Sequence, residues 1–182
     1  MRSVRSLLVA LVLGCWVPAV LVAQQKEPVK IAAEVKTVEP FSYVALECSG
    51  PYTQYAQAEA TYLAELKSSG IKTTGVQMTF YLNSPLYVKQ EELKWDVGHQ
   101  LAEDQAAAGK LTIRKFDFAK VAEATHRGPY ATTYQTINAL YAWIGQQGLK
   151  SAGGPCVERY LDPDPSKVPD DQKVTVIWIP VQ

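Results

Sequence analysis

The sequence predicts an α+β domain made of two β-α-β-β units related by a pseudo-twofold axis. Both helices lie on one side of the sheets, and a concave ligand trough lies on the other. Three observations predict this. Gly50-Pro51-Tyr52 returns as Gly128-Pro129-Tyr130, 78 positions later. Tyr62-Leu63-Ala64-Glu65-Leu66 with Gly70-Ile71-Lys72 returns at the same offset as Leu140-Tyr141-Ala142-Trp143-Ile144 with Gly148-Leu149-Lys150. Tyr81-Leu82-Asn83 then answers Tyr160-Leu161-Asp162 at offset 79, a slip of one residue.

Each element has its own signal. From Glu34 the chain alternates through Val35, Val38, Phe41, Tyr43 and Ala45, a strand running into Ser49-Gly50. Pro51 suits a helix start, because it lacks the N–H that would be orphaned there. Tyr55, Tyr62, Leu63 and Leu66 share one helical stripe, and Gly70-Ile71 is a left-handed stop with its apolar contact. Val76 to Leu82 and Leu93 to Val97 read as strands around the turn at Asn83-Ser84-Pro85. Gly98 to Gly109 reads as a connector. Leu111 to Phe118 and Val121 to Thr125 are strand-like. Tyr134, Ile137, Tyr141 and Ile144 give the second amphipathic helix. Cys156 to Leu161 and Val174 to Val181 close the second unit around a proline-rich turn. Unit one covers about 34–98 and unit two about 110–182.

Each small sheet covers one face with its own helix and needs a partner for the other face and edges. Pairing the units satisfies both and leaves a trough at the junction, a natural small-molecule site.

At 182 residues and 47% apolar, the chain fills one core and is short for two domains. Formal charge balances at zero, with no basic stripe or acidic tail, so no nucleic-acid partner is expected. Residues 1–23 read differently. Arg2 and Arg5 precede an apolar run from Leu7 to Val22 that ends at Ala23, the pattern of a secretory signal peptide. Lipoprotein processing at Cys15 and an uncleaved anchor are the alternatives, and either would be the only membrane attachment. Residues 24–33 then form a linker, and the domain spans 34–182. Without Arg2 and Arg5, 16 basic residues face 18 acidic ones, a mildly acidic product expected in the periplasm or outside the cell. Cys48 and Cys156 then form an even pair: either a disulfide or two small buried apolar residues.

The duplicated plan, the turn Tyr160-Leu161-Asp162-Pro163 and the ending Trp178-Ile179-Pro180-Val181 resemble the GyrI-like small-molecule-binding family. That family is similar to the effector-binding domains of AraC- and MerR-type activators and distantly related to SOUL haem-binding proteins. The resemblance covers about residues 34–182. It implies a trough for hydrophobic, often cationic compounds, with aromatic walls and a buried glutamate as counter-charge; some members look like hydrolases of small electrophiles. The family's last-strand glutamate position holds Val176 in Thr175-Val176-Ile177-Trp178, a departure that bears on both activities.

The candidate site residues follow. Val174, Val176 and Trp178 share a face by period two, and the family places that face on the trough. Trp178 is the foremost candidate wall, with core packing as the other reading. Asp96 overlays Val176 at offset 80 and is either a counter-charge or a solvated strand end. Glu158 and Tyr160 share a strand face, with Thr79 and Tyr81 as their counterparts in unit one. An acid such as Glu158 in an apolar trough gains a raised pKa suited to acid–base chemistry, or else sits on the rim. Glu123 is a further buried-acid candidate. Tyr52 and Tyr130 pin turns, Trp143 packs in the core, and His126 stabilises its turn. His99 and His126 are too few for a metal site, and no cofactor is expected. The foremost functional expectation is a free-standing binder of a small hydrophobic or aromatic molecule rather than an enzyme. Two alternatives stand beside it: a hydrolase using Glu158 or Asp96, and a protein-interaction or inhibitor module. Oligomeric state is not legible.

Overall fold

The computed structural model describes residues 30–182. The readings at 1–23 and at Cys15 lie outside the described residues. The chain runs β1 (Ala33–Thr37), β2 (Phe41–Ser49), α1 (Tyr55–Ser69), β3 (Thr73–Tyr81), β4 (Lys94–Leu101), β5 (Thr112–Phe116), β6 (Lys120–Arg127), α2 (Thr133–Gln146), β7 (Cys156–Tyr160) and β8 (Val174–Pro180). All eight strands form one open antiparallel sheet in the order β1-β6-β8-β7-β3-β4-β2-β5.

The duplication is written in the register. Leu46 pairs with Val97 in unit one, and the positions offset by 78 and 80, Ala124 and Ile177, pair in unit two. Thr79 pairs with Val97 as Glu158 pairs with Ile177. The units meet through β3 and β7, where Thr79 lies opposite Glu158. Each β-α-β-β unit is also preceded by a short strand, and the two short strands are exchanged: β1 pairs with β6 of unit two, and β5 with β2 of unit one. The long first strand read from Glu34 onward is therefore two strands on opposite halves of the sheet.

At the repeated turn, Gly50 and Gly128 adopt φ of 93° and 129°, values that a Cβ disfavours. Pro51 and Pro129 follow in extended conformation and precede a 3₁₀ turn, so the α-helix begins four residues after each proline rather than at it. Tyr52 donates from its hydroxyl to the Asn83 carbonyl at 3.3 Å, and Tyr130 to the Asp162 carboxylate at 3.0 Å, the same pin in both units.

Three apolar clusters hold the sheet. Under α1, Tyr62 packs on Val44, Trp95, Val97 and Leu101. Under α2, Leu140 and Ile144 pack on Ala122, Ala124, Ile177 and Ile179. The third cluster fills the face without helices: Tyr43, Phe80, Phe116, Val157, Val176 and Trp178 with Phe41 and Phe118. The Phe116 and Trp178 ring centroids are 6.1 Å apart, although four strands separate β5 from β8. A flat sheet would hold them about 24 Å apart at ~4.8 Å per strand. The sheet is therefore curled, and its concave face closes on the chain's own aromatic rings.

Of the two readings of the cysteines, the register favours two unpaired residues over a disulfide. Cys48 pairs with Trp95, Trp95 with Tyr81 and Tyr81 with Cys156, so the cysteines bracket a row of four strands. That row spans roughly 14 Å, twice the ~7 Å limit for a disulfide. Both are free thiols, and burial pushes Cys48 up to about 11 and Cys156 higher still. Alkylation of non-reduced, unfolded protein followed by mass spectrometry should find both modified; a Cys48–Cys156 peptide would refute this register.

Candidate functional site

On the helix side of the sheet, a cleft of about 710 Å³ opens between α1 and the start of α2. Its walls are Tyr55, Glu59 and Leu63 from α1, Tyr130 before α2, and the turn from Tyr160 to Ser166. Gly75, Val76 and Gln77 of β3 and His99 of β4 form the floor. The volume is that of a drug-sized pocket. Three rings, Tyr55, Tyr130 and Tyr160, stand together, with Tyr160 centroids 6.3 Å from Tyr55 and 4.9 Å from Tyr130. The cleft sits at the pseudo-twofold because β3 and β7 are the central strands and neither helix crosses them.

Acids predominate in this cleft. Glu59, Asp162 and Asp164 line it, while two lysines stand at its edge, Lys167 paired with Asp164 at 2.7 Å and Lys173 4.8 Å over the Tyr130 ring. Beneath Tyr160 lies a fourth acid, Glu158, only 3% exposed. The Tyr160 hydroxyl donates to it at 2.7 Å and that of Tyr81 at 3.2 Å. Burial raises the Glu158 pKa above the ordinary carboxylate range, and the hydroxyls of Thr133, Tyr160 and Tyr81 draw it part of the way back. The Tyr160 hydroxyl also lies 3.2 Å from Thr79 Oγ1, and Thr79 in turn donates to Tyr55 at 3.3 Å. Burial pushes the Tyr55 phenol up to about 12. The cleft is therefore aromatic, negative and built on a connected row of hydroxyls.

The six sequence candidates divide by sheet face. Tyr160 lines the cleft, and Glu158 and Tyr81 lie directly under it. Val176, Trp178 and Asp96 project from the opposite, concave face. There Val176 and Trp178 are 8% and 7% exposed within the aromatic cluster. Trp178 donates to Glu123, and the Arg159 guanidinium stacks 4.1 Å over its ring. Asp96 is 1% exposed, ion-paired to Arg114 at 3.2 Å and hydrogen-bonded from Tyr43 at 3.3 Å. It is no solvated strand end.

Burial, opposed by Arg114, raises Asp96 to about 6. Because this pKa is raised, the stability Asp96 contributes is full below the ordinary carboxylate range and falls as pH rises through 6. Arg114→Leu removes the opposing charge, so the loss deepens above that pH. The variant should be about 1–2 kcal/mol less stable at pH 8, a half-exposed partner counting for less than a buried one, and near wild type at pH 5. Urea unfolding at both pH values checks this; an equal loss at both would mean the guanidinium acts only by packing.

Sequence reasoning missed Glu59, Gln77 and His99 as cleft residues. Glu59 and Gln77 look like solvated positions in sequence, and His99 sits in what read as a connector. It stands in β4, which runs on to Leu101. His126, by contrast, does hold its turn: Nε2 lies 3.1 Å from Thr132 Oγ1 and 3.3 Å from the Pro129 carbonyl.

An open sheet with two helices astride an aromatic cleft is an architecture suited to holding a small molecule. Residues 32–182 match the family model of the GyrI-like small molecule binding domain, and the chain belongs to that family. No curated protein sequence matches it. Among solved structures, it is similar to the EcmrR C-terminal domain, with 16% identity, a TM-score of 0.73, 84% of this chain covered and 98% of the other. The chain spans 57% of the length of EcmrR as solved on DNA. A hydrolase from Listeria innocua aligns with 14% identity and a TM-score of 0.60, over 82% of this chain and 91% of the other. SAV2435, solved bound to tetraphenylphosphonium, aligns with 14% identity and a TM-score of 0.53, over 83% and 94%.

These matches correct the expected location. EcmrR is solved on DNA, a setting inside the cell, and the periplasmic or extracellular placement is withdrawn.

Proposed function

We propose that this chain binds a small aromatic or hydrophobic cation in the cleft between the helices. The single observation that carries this reading is the lining: three tyrosine rings with Glu59, Asp162 and Asp164 and with Glu158 beneath, four acids against the two lysines at the edge, of which Lys173 already stands over the Tyr130 ring as a cation would. Aromatic faces and carboxylates both favour a cation, and the half-enclosed cleft strengthens both effects. The tetraphenylphosphonium complex of SAV2435 supports the same ligand class. Glu158 takes the role that the last-strand glutamate would play at Val176: it stands on the neighbouring strand and on the opposite face.

Thermal unfolding with tetraphenylphosphonium, and with neutral triphenylphosphine oxide as control, tests the proposal. At 100 times its dissociation constant the cation should add about 2.7 kcal/mol, and the neutral compound much less. Equal shifts with both would mean an apolar pocket blind to charge.

A second reading has its own observation. Glu158 sits between two phenol hydroxyls with a raised pKa, the arrangement of an acid that can hold and return a proton. On that reading the cleft hydrolyses a small electrophile, and Glu158→Gln abolishes turnover while leaving binding of a neutral substrate nearly intact. Asp96 has no part in it, because its carboxylate lies on the other face of the sheet.

A further inference from the structure

The cleft floor carries a feature that cation binding does not require. His99 lies opposite Gln77 across the β3–β4 ladder, and both line the cleft. The His99 ring stacks on Tyr62, and Nδ1 lies 2.8 Å from the Tyr62 hydroxyl. Tyr62 is fully buried, and its hydroxyl has no other partner among the described residues. If His99 donated from Nδ1, the Tyr62 proton would be stranded in the core, at a cost of about 1–3 kcal/mol. The satisfied arrangement has Tyr62 donating to Nδ1, which places the imidazole proton on Nε2. Burial lowers the His99 pKa, so the ring stays neutral. Nε2 has no partner among the described residues and is not buried. His99 therefore presents one fixed N–H donor to the cleft.

Gln77 is fixed in the complementary sense. Its amide nitrogen donates to the Glu59 carboxylate and, at 3.1 Å, to the Tyr55 hydroxyl. A carboxylate only accepts, so the group facing Glu59 is the NH₂, and Oε1 is left as an open acceptor. Like His99 Nε2, it has no partner among the described residues and is not buried. Directly opposite residues of an antiparallel pair hold their side chains about 5 Å apart, close enough for one planar group to meet both.

The geometry points to a ligand carrying a carboxamide-type edge. Its carbonyl accepts from His99 Nε2–H, and its N–H donates to Gln77 Oε1. This inference rests on the proposed cation site and names the polar end of the same ligand. His99 and Gln77 would then be specificity residues, which an all-apolar cation leaves without partners.

A matched probe pair tests it: (4-carbamoylbenzyl)trimethylammonium and its (4-isopropenylbenzyl) isostere, each titrated by calorimetry into the full chain. Wild type should prefer the carbamoyl probe by about tenfold, the value of two ordinary hydrogen bonds. The double variant His99→Phe/Tyr62→Phe removes the donor together with the hydroxyl it would orphan, and keeps the stacked rings. It should cut the preference to about threefold, and adding Gln77→Met should bring it to near one. Equal affinities in wild type would overturn the carboxamide edge and leave the cation site standing. A preference that survives in the triple variant would also overturn it. Failure of both probes and of tetraphenylphosphonium to bind would overturn the cation site and this inference together.

Discussion

Glu158→Gln should weaken tetraphenylphosphonium binding by about ten- to a hundredfold without destabilising the protein at neutral pH. The first half follows from removing the charge beneath Tyr160: a unit charge about 6–12 Å from a bound cation, at an effective dielectric of ~20, is worth about 1.4–2.8 kcal/mol. The second half follows from the direction of the Glu158 shift. Its folded-state pKa is raised by burial. Its stability contribution is therefore full below the unfolded carboxylate pKa and is lost as pH rises through the folded value. Above the unfolded carboxylate pKa the wild type carries the cost of burying this acid, which glutamine does not. Glutamine can accept from Tyr81 and Tyr160 as the carboxylate does. Binding has a matching pH signature. A cation favours ionised Glu158, so wild-type affinity should rise with pH through the folded pKa, and the variant's should be flat. Calorimetry across about pH 5 to 8, beside urea unfolding at the same pH values, measures both. A variant that unfolds more easily at every pH would show that Glu158 is a structural acid. One that binds as tightly as wild type would shift the charge selectivity to Glu59, Asp162 and Asp164.

The fold was legible because the repeat carries strong local signals. Gly50 and Gly128 demand positive φ, the prolines after them fix the approach to each helix, and the offsets of 78 and 80 survive into the ladder pairings. The exchange of β1 and β5 was not legible. Five-residue edge strands such as Ala33–Thr37 carry no motif, and which half they join is decided by long-range pairing that no local pattern encodes. The site was half legible for a related reason. Period two correctly grouped Glu158 with Tyr160 and Val176 with Trp178. It could not show that the concave face would be filled by Phe41, Phe80 and Phe116, because that filling depends on curl. The open space was left between the helices, where Glu59, Gln77 and His99 read as ordinary polar residues.

Gly98→Ala should be the most damaging small substitution in the described domain, and the position shows why composition misleads. In sequence, Gly98 marks the start of a connector. In the structure it lies in mid-strand, paired with Ala45 on one side and Met78 on the other. A Cβ at Gly98 would collide with the Val44 backbone carbonyl and press on the Ala45 Cβ at 3.2 Å. Glycine is here for close approach of two backbones, a role that strand glycines take at bends and bulges. The carbonyl belongs to the β2–β4 ladder and cannot rotate away as a side chain would. Either the ladder opens beside the fully buried Val44 and Val97, or the strand shifts. We expect a loss of about 3 kcal/mol, at the upper end for overpacking, and a fall in melting temperature of roughly 10 °C for a domain of this size. Gly145→Ala is the control. It lies in α2 with nothing within 4 Å of the added Cβ, so helix propensity alone should make it neutral or stabilising by up to about 1 kcal/mol. Urea unfolding of the two variants separates the explanations. Opposite signs would fix Gly98 as a packing glycine, whereas similar small effects would mean the sheet absorbs the methyl by local curl, and that the β2–β4 contact is looser than its geometry implies.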